Sequence, residues 1–223
     1  MAASSNNDNA MALDNPRAGR SPVVPTPGWP APLRDAAAFL RGFLRNPAQV
    51  GSVVPSSRQL EQRLVRSAAI AQARTVVELG PGTGGTTAAL LRAMQPGGRL
   101  LAVELDPVFH AHLARSLRDP RLLLELASAE RLAELLEARR LPAPDAIVSG
   151  IPFSTMPPEV SDRIAAQVAQ VLRPGGRFVA YQVRAHVAGF ATPYLGEPEK
   201  RWEIVNVPPV RVFTWTKAAP SAS

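Results

Sequence analysis

From residue 75 onward the chain alternates between short apolar, β-branched runs and longer segments with helical spacing, punctuated by proline and glycine. That rhythm leaves few folds open. Strands separated by helices lie mainly parallel in one sheet, with helices on both faces. Residues 75–79 predict a buried strand, 85–94 a helix stopped by Pro96-Gly97-Gly98, and 99–104 a second strand. Residues 107–117 predict another helix, 121–126 a leucine-rich strand, 130–140 a helix, and 145–149 a strand entered after Pro142 and Pro144. A helix over 158–172 opens on prolines and closes at Pro174-Gly175-Gly176, and a fifth strand covers 177–183. Two late strands, 203–207 and 210–216, flank Pro208-Pro209. The sum is a doubly wound, seven-stranded, mostly parallel α/β sheet with an antiparallel last strand. Ligands of such sheets bind at the carboxyl ends of the strands, where the strand order reverses.

The N-terminal part is different. Residues 1–31 are rich in Ala, Ser, Asn and then Pro (Pro16, Pro22, Pro25, Pro27, Pro30), with little apolar surface to offset ordering, so they read as a disordered tail. Residues 218–223 read as a second tail, leaving 32–217 as one domain. Within it, 33–45 has the spacing of an amphipathic helix. Leu33, Ala36, Ala37, Leu40 and Leu44 share a face, Phe39 and Phe43 flank it, and Arg34, Arg41 and Arg45 gather beside it. Asn46-Pro47 ends this helix. A loop over 49–55 carries Gly51 and Ser52, and Ser56 or Ser57 can cap a second helix running to about residue 71.

Composition narrows the chemistry. The chain has no cysteine, which removes disulfides, thiolate metal sites and a cysteine nucleophile. Of its three histidines, His110 and His112 are two apart and fall on different sides of a helix, so no metal is expected. The net charge of +7 favours an acidic partner, either nucleic acid or an anionic membrane surface. No apolar stretch is long enough to span a bilayer, and no secretory signal is visible. The expectation is a cytoplasmic protein that touches a membrane.

The first strand ends in Glu78-Leu79-Gly80-Pro81-Gly82-Thr83-Gly84. Glycines between a strand and a helix permit a tight turn and close approach of a ligand to the backbone. A dinucleotide site would carry Gly-x-Gly-x-x-Gly and a free helix N-terminus for its pyrophosphate. Here the spacing is Gly-x-Gly-x-Gly, and Glu78 would repel a pyrophosphate. The same carboxylate suits a sulfonium and an amino group, which points to S-adenosylmethionine. Glu104 ends the second strand, where an acidic group can hold ribose hydroxyls. Asp106, just before Pro107, is the expected cap of the following helix.

With these motifs in place, the chain resembles the class I S-adenosylmethionine methyltransferases with a Rossmann-like sheet. More narrowly it resembles the bacterial phospholipid N-methyltransferases, relatives of the rRNA adenine dimethyltransferases. The matching segments are Asn46-Pro47, Val50-Gly51-Ser52-Val53-Val54-Pro55-Ser56-Ser57, the run 77–84 and Val103-Glu104-Leu105-Asp106-Pro107. They continue with Val148-Ser149-Gly150-Ile151-Pro152-Phe153, Met156-Pro157-Pro158, the run 172–176 and Asn206-Val207-Pro208-Pro209. The resemblance implies cofactor contacts from Glu78, Gly80, Gly82 and Glu104, with Pro81, Thr83, Gly84, Leu105, Ser128, Ala129 and Ser149 completing the surface. It implies a membrane-attached N-terminal helix and methylation of phosphatidylethanolamine, through its methylated intermediates, towards phosphatidylcholine. Ornithine lipid is a related substrate. Where relatives carry Gly-Asp-Ala after the third strand, this chain has Ala127-Ser128-Ala129, so Ser128 or Glu130 would face the adenine. The stretch 184–200 matches less well and reads as a substrate-side loop.

RNA-directed relatives carry Asn-Leu-Pro-Tyr or Asn-Pro-Pro-Phe after the fourth strand. This chain has Ser149-Gly150-Ile151-Pro152-Phe153, which lacks the Asn amide that holds a base amine. Phe153 can stack on a base, line an amine or acyl pocket with Ile151 and Pro152, or pack in the core. The arginines beside the Leu/Phe face of 33–45 suit an anionic bilayer. Methyl transfer to an amine depends mostly on alignment, but the amine must be neutral when it attacks. Tyr181, His186 and Glu104 are the candidate proton acceptors near strand ends. The expected partners are therefore a lipid substrate and the inner face of a membrane. An ornithine lipid enzyme, an RNA enzyme and a non-catalytic membrane-binding protein are the alternatives.

Overall fold

The computed structural model describes residues 57–203 and 209–219. The expected helix over 33–45, with Arg34, Phe39, Arg41, Phe43 and Arg45, lies outside the described residues, as do Ser52 and the expected tail 1–31.

Helix α1 (Arg58–Ser67) is capped by Ser57, whose side chain accepts from Leu60 N at 3.2 Å. It buries Leu60 and Leu64, four residues apart on one face. It ends short of residue 71 because Ala69 turns into the left-handed region (φ 51°) before a 3₁₀ turn, Ile70–Gln72. There follow β1 (Thr75–Leu79), α2 (Gly85–Ala93), β2 (Arg99–Glu104), α3 (Pro107–Ser116) and β3 (Leu122–Leu126). A 3₁₀ turn (Ala129–Arg131), α4 (Leu132–Ala138), β4 (Ala146–Ser149) and a 3₁₀ turn (Phe153–Thr155) come next. The chain closes with α5 (Pro158–Val171), β5 (Arg177–Gln182), α6 (His186–Leu195), β6 (Glu199–Glu203) and β7 (Val210–Thr216).

The seven strands form one sheet in the order β3-β2-β1-β4-β5-β7-β6, with β7 antiparallel to both neighbours. The order reverses between β1 and β4. There Leu79 lies level with Val103 of β2 and Ser149 of β4. Alternation along the strands splits the core in two. Val76, Val148 and Val179 face α1, α2 and the first 3₁₀ turn, against Leu60, Leu64, Ile70 and Leu90. Val77, Ile147 and Phe178 face α4, α5 and α6, where Phe178, Trp215 and Phe213 stack in a row. Each such side chain contributes roughly 1.5–3 kcal/mol by leaving water.

Two elements differ from the sequence reading. The expected loop 184–200 contains α6, whose Val187 and Ala191 are buried against α5 and the sheet. The edge strand is β6, Glu199–Glu203, rather than 203–207; residues 204–208 lie outside the described set. Its sequence, Glu-Lys-Arg-Trp-Glu, is charged because an edge strand meets water, and charge discourages further strand pairing.

The amino end of the sheet is stapled by side chains. Asp145 accepts from Arg74 N (2.7 Å) and Thr75 N (2.8 Å) and pairs with Arg173 (2.6 Å), tying β1 to β4. Arg121 donates to the last carbonyls of α2, Leu91 O at 2.8 Å and Met94 O at 3.1 Å. Lys217 Nζ does the same for α5 at Ala169 O (2.6 Å) and Leu172 O (2.7 Å). Cations at helix C-termini complement orphan carbonyls and the helix dipole. Lys217→Ala is expected to lower stability by about 1–2 kcal/mol, read as a lower urea midpoint with an unchanged slope.

Candidate active site

The turn after β1 depends on its glycines. Gly84 sits at φ +88° before α2, and a Cβ there would stand 2.5 Å from Leu113 Cδ2. Gly80 (φ +71°) lies against Ile151, whose Cγ1 would be 3.2 Å from an added Cβ. Gly82 is the opposite case: no atom lies within 4 Å of the position its Cβ would take. Its backbone therefore faces open space, which is where a ligand can approach. Pro81 is buried and Thr83 is exposed in the same turn.

Two buried carboxyl groups flank this turn, and they are satisfied differently. Glu104 (2% exposed) accepts from Gly82 N at 3.0 Å and from Asp106 N at 2.8 Å. It thus joins the turn after β1 to the turn after β2. Burial raises its pKa, and the two backbone donors oppose that rise. Asp106 caps α3 through Val108 N (2.7 Å) and Phe109 N (3.3 Å), as expected. Glu78 (1% exposed) has no hydrogen-bond partner on either carboxylate oxygen. Burial pushes its pKa up to about 8, Thr87 offsets part of that and the Glu104 charge adds to it. Thr87 Oγ1 lies nearby without completing a hydrogen bond of normal geometry.

Beside Glu104 opens a cleft continuous with solvent. Gly80, Val103 and Leu105 line one part of it, Ala127, Ser128, Ala129 and Glu130 another. Ile151, Met156, Val160 and Ile164 form an apolar wall that the sequence reading did not assign beyond Ile151. The spacing of Met156, Val160 and Ile164, four residues apart at the start of a helix, was the available signal. Ser128 Oγ accepts from Glu130 N at 3.2 Å and lies 3.1 Å from Glu130 Oε2, while Glu130 Oε1 pairs with Arg163 at 2.6 Å. The two candidates for the missing Asp are thus one connected unit on the cleft wall.

Other expected residues lie elsewhere. Ser149 is fully buried and its hydroxyl accepts from Ile151 N at 3.3 Å, so it shapes the turn after β4 and does not line the cleft. Phe153 is 2% exposed and stacks on Phe190 at 6.4 Å, which makes it core. Pro152 is half-buried between them. Tyr181 is drawn to the glycine turn: its hydroxyl would lie 2.6 Å from a Cβ on Gly150 and is 3.4 Å from Thr86 Oγ1. Gly150 therefore admits that hydroxyl, a role the sequence reading missed. His186 is exposed as the first residue of α6 and lies outside the cleft lining.

These residues fit a sulfonium nucleoside. Glu104 on the cleft wall would accept from ribose hydroxyls, and the apolar walls would take a flat base. The buried, unpaired Glu78 carboxyl, which is not itself part of the lining, would suit a cation at the adjoining turn. A family model described as a methyltransferase domain matches residues 76–176. An ornithine lipid N-methyltransferase of Singulisphaera acidiphila is 33% identical over 148 residues, covering 66% of this chain and 77% of that protein. The chain belongs to the class I S-adenosylmethionine-dependent methyltransferases.

Ribosomal RNA small subunit methyltransferase A of Nocardia farcinica is 32% identical over 185 residues, covering 72% of this chain. The chain covers only 59% of that relative's length. Among solved structures, N-methyltransferase NodS of Bradyrhizobium japonicum, in complex with S-adenosylhomocysteine, superposes with TM-score 0.61 at 14% identity, covering 82% of this chain and 97% of that one. The O-methyltransferase TomG of Streptomyces achromogenes, in complex with S-adenosylmethionine, gives 0.57 at 18% identity, covering 85% and 91%. Both likenesses show the fold.

In a methyltransferase of this class the bound cofactor supplies an activated methyl group on its sulfur. The chain's own part is to bind and orient. Glu104 holds the two turns in register; with the cofactor bound, Glu78 would meet its cationic end and the cleft walls would hold its base. An unligated, buried Glu78 is costly when ionised. Its pKa is raised from an ordinary 4.5 to about 8, so the fold holds its proton more tightly and stability falls as pH rises between those values. Glu78→Gln is expected to raise the melting temperature of the cofactor-free protein, most at pH 8 and above and least near pH 4.5, while weakening cofactor binding at least tenfold (about 1.4 kcal/mol). Thermal scans across this pH range check the first part and calorimetry the second.

Proposed function

We propose that this methyltransferase transfers methyl groups to the amine of a membrane lipid headgroup, with phosphatidylethanolamine and its methylated intermediates as the leading substrates and ornithine lipid as the next. The observation that carries this reading is the segment after β4. RNA-directed enzymes need an amide and a free aromatic face there to hold a flipped base. This chain has Ser149 buried in the turn and Phe153 stacked against Phe190 in the core. The ornithine lipid N-methyltransferase likeness supports the same substrate class.

The amphipathic pattern of 33–45 supports attachment to an anionic bilayer, with Arg34, Arg41 and Arg45 meeting phosphates and Phe39 and Phe43 entering the interface. Among the described residues no helix is long and apolar enough to cross a membrane. The reading thus places the enzyme peripherally on the inner face of the membrane, with the head group entering past Ile151 and Pro152. An RNA substrate is the second reading, favoured by the Nocardia likeness and by the positive charge.

Incubation of the protein with methyl-labelled S-adenosylmethionine, phosphatidylethanolamine or ornithine lipid vesicles, and ribosomal RNA separates these readings. Label is expected in a lipid amine; label confined to RNA contradicts the proposal. Replacing Arg34, Arg41 and Arg45 by Gln is expected to lower co-sedimentation with anionic vesicles by about tenfold and to leave cofactor affinity unchanged.

A further inference from the structure

The sheet carries a second set of unmet polar groups, away from the cofactor cleft but on the same end. Gln182 ends β5 and pairs in register with Arg211 of β7, which pairs in turn with Trp202 of β6. Because β7 runs antiparallel, its first residues and the last residues of β5 and β6 share the carboxyl end of the sheet, where the site lies. Side chains at paired positions point to the same face. Three strand ends therefore present a row: Gln182, Arg211, Trp202.

Each member of the row is unusual. Gln182 is 8% exposed, and its Nε2 donates to Ile151 O at 2.6 Å, which fixes the amide orientation. Its Oε1 is left buried without a partner. Arg211 Nε is also buried without a partner, and among the described residues no carboxylate pairs with its guanidinium. The guanidinium instead lies 4.3 Å from the centre of the Trp202 ring. That indole is 54% exposed, one of the few large apolar side chains left in water. An unmet acceptor and an unmet donor stand on adjacent strands and do not satisfy each other. Buried polar groups of this kind are normally paired, and exceptions at the ligand-binding end of the sheet call for a third party.

The row also connects to the site. Gln182 holds the carbonyl of Ile151, and Ile151 lines the cofactor cleft against Gly80. At about 4.8 Å per strand, β7 stands roughly 10 Å from β4, within reach of an arginine side chain and a short head group. Arg184, exposed just after β5, adds positive charge at the same rim.

We propose that Arg211, propped on Trp202, binds the anionic group that neighbours the substrate's amine, and that Gln182 Oε1 accepts a hydrogen bond from the same head group. The anion is a phosphate in an ethanolamine phospholipid or a carboxylate in an amino-acid lipid. A planar guanidinium fork suits both oxyanions. The assignment rests on the lipid-amine reading and gives it a specificity device: an amine without a nearby anion is held at one point only.

The test uses the full chain with S-adenosylmethionine and two vesicle series, phosphatidylethanolamine or ornithine lipid diluted in phosphatidylcholine. Arg211→Gln is expected to raise the half-saturating mole fraction of the amine lipid by about tenfold, with cofactor affinity and vesicle co-sedimentation unchanged. Arg211→Lys is expected to recover only part, since an ammonium lacks the fork. The series in which the shift appears identifies the anion. Soluble glycerophosphoethanolamine is expected to compete with phosphatidylethanolamine on the wild-type enzyme, and this arm decides the matter if Arg211→Gln fails to fold. Unchanged half-saturation, absence of competition, or a loss that follows vesicle binding overturns the assignment while leaving the lipid reading standing. A wild-type enzyme inactive on both lipids overturns the two together.

Discussion

Two buried carboxyl groups at the ends of neighbouring strands set the character of this molecule, because only one of them is satisfied. Glu104 is held by the backbone donors of Gly82 and Asp106, so it fastens the turn after β1 to the turn after β2. Glu78 is buried at least as deeply and has no partner. A protein keeps an unmet carboxyl in its core at a cost, and the cost is recovered when a complementary charge arrives. The satisfied acid builds the site, and the unsatisfied one is suited to meet a cation. The space beside Gly82 is open, so a ligand can approach the backbone of the turn that follows Glu78.

The remainder of the fold keeps these two acids in place. Side-chain staples concentrate at the amino end of the sheet, where Asp145, Arg121 and Lys217 bind backbone groups of strand starts and helix ends. The carboxyl end is built from turns whose tightness depends on glycine. Gly84 makes room for Leu113, and Gly150 makes room for the Tyr181 hydroxyl. One end of the sheet is thus fixed by charge, and the other is shaped for ligands by the absence of side chains. Binding loops carried on a rigid scaffold follow the same division.

Much of this was legible in the sequence, for physical reasons that differ by element. The β1 strand and its turn were plain because a fully buried parallel strand is a continuous apolar run and a tight turn spends glycines. Asp106 declared itself as a cap through Pro107. Helix α6 was hidden because Gly189 and Pro193 interrupt it, although Val187, Phe190, Ala191 and Leu195 keep helical spacing. Strand β6 was misplaced because its charges serve a water-facing edge and so lack the apolar signature of the other strands. The fate of Ser149 and Phe153 was not legible at all: their motif lies at the site, but whether a side chain turns into the cleft or into the core depends on the packing of α6 behind it. The row Gln182, Arg211, Trp202 is a product of strand register, which sequence spacing alone does not supply.

Burial holds the proton on Glu78, and binding of a cationic cofactor is expected to release that proton to solvent. Calorimetric titration of the protein with S-adenosylmethionine at pH 7, in buffers of different ionisation enthalpy, counts the protons released. The difference between wild type and Glu78→Gln isolates the carboxyl from the cofactor's own amine. The expected result is that wild type releases about one proton more than the variant. Equal proton counts, with cofactor affinity unchanged by the substitution, would contradict the account.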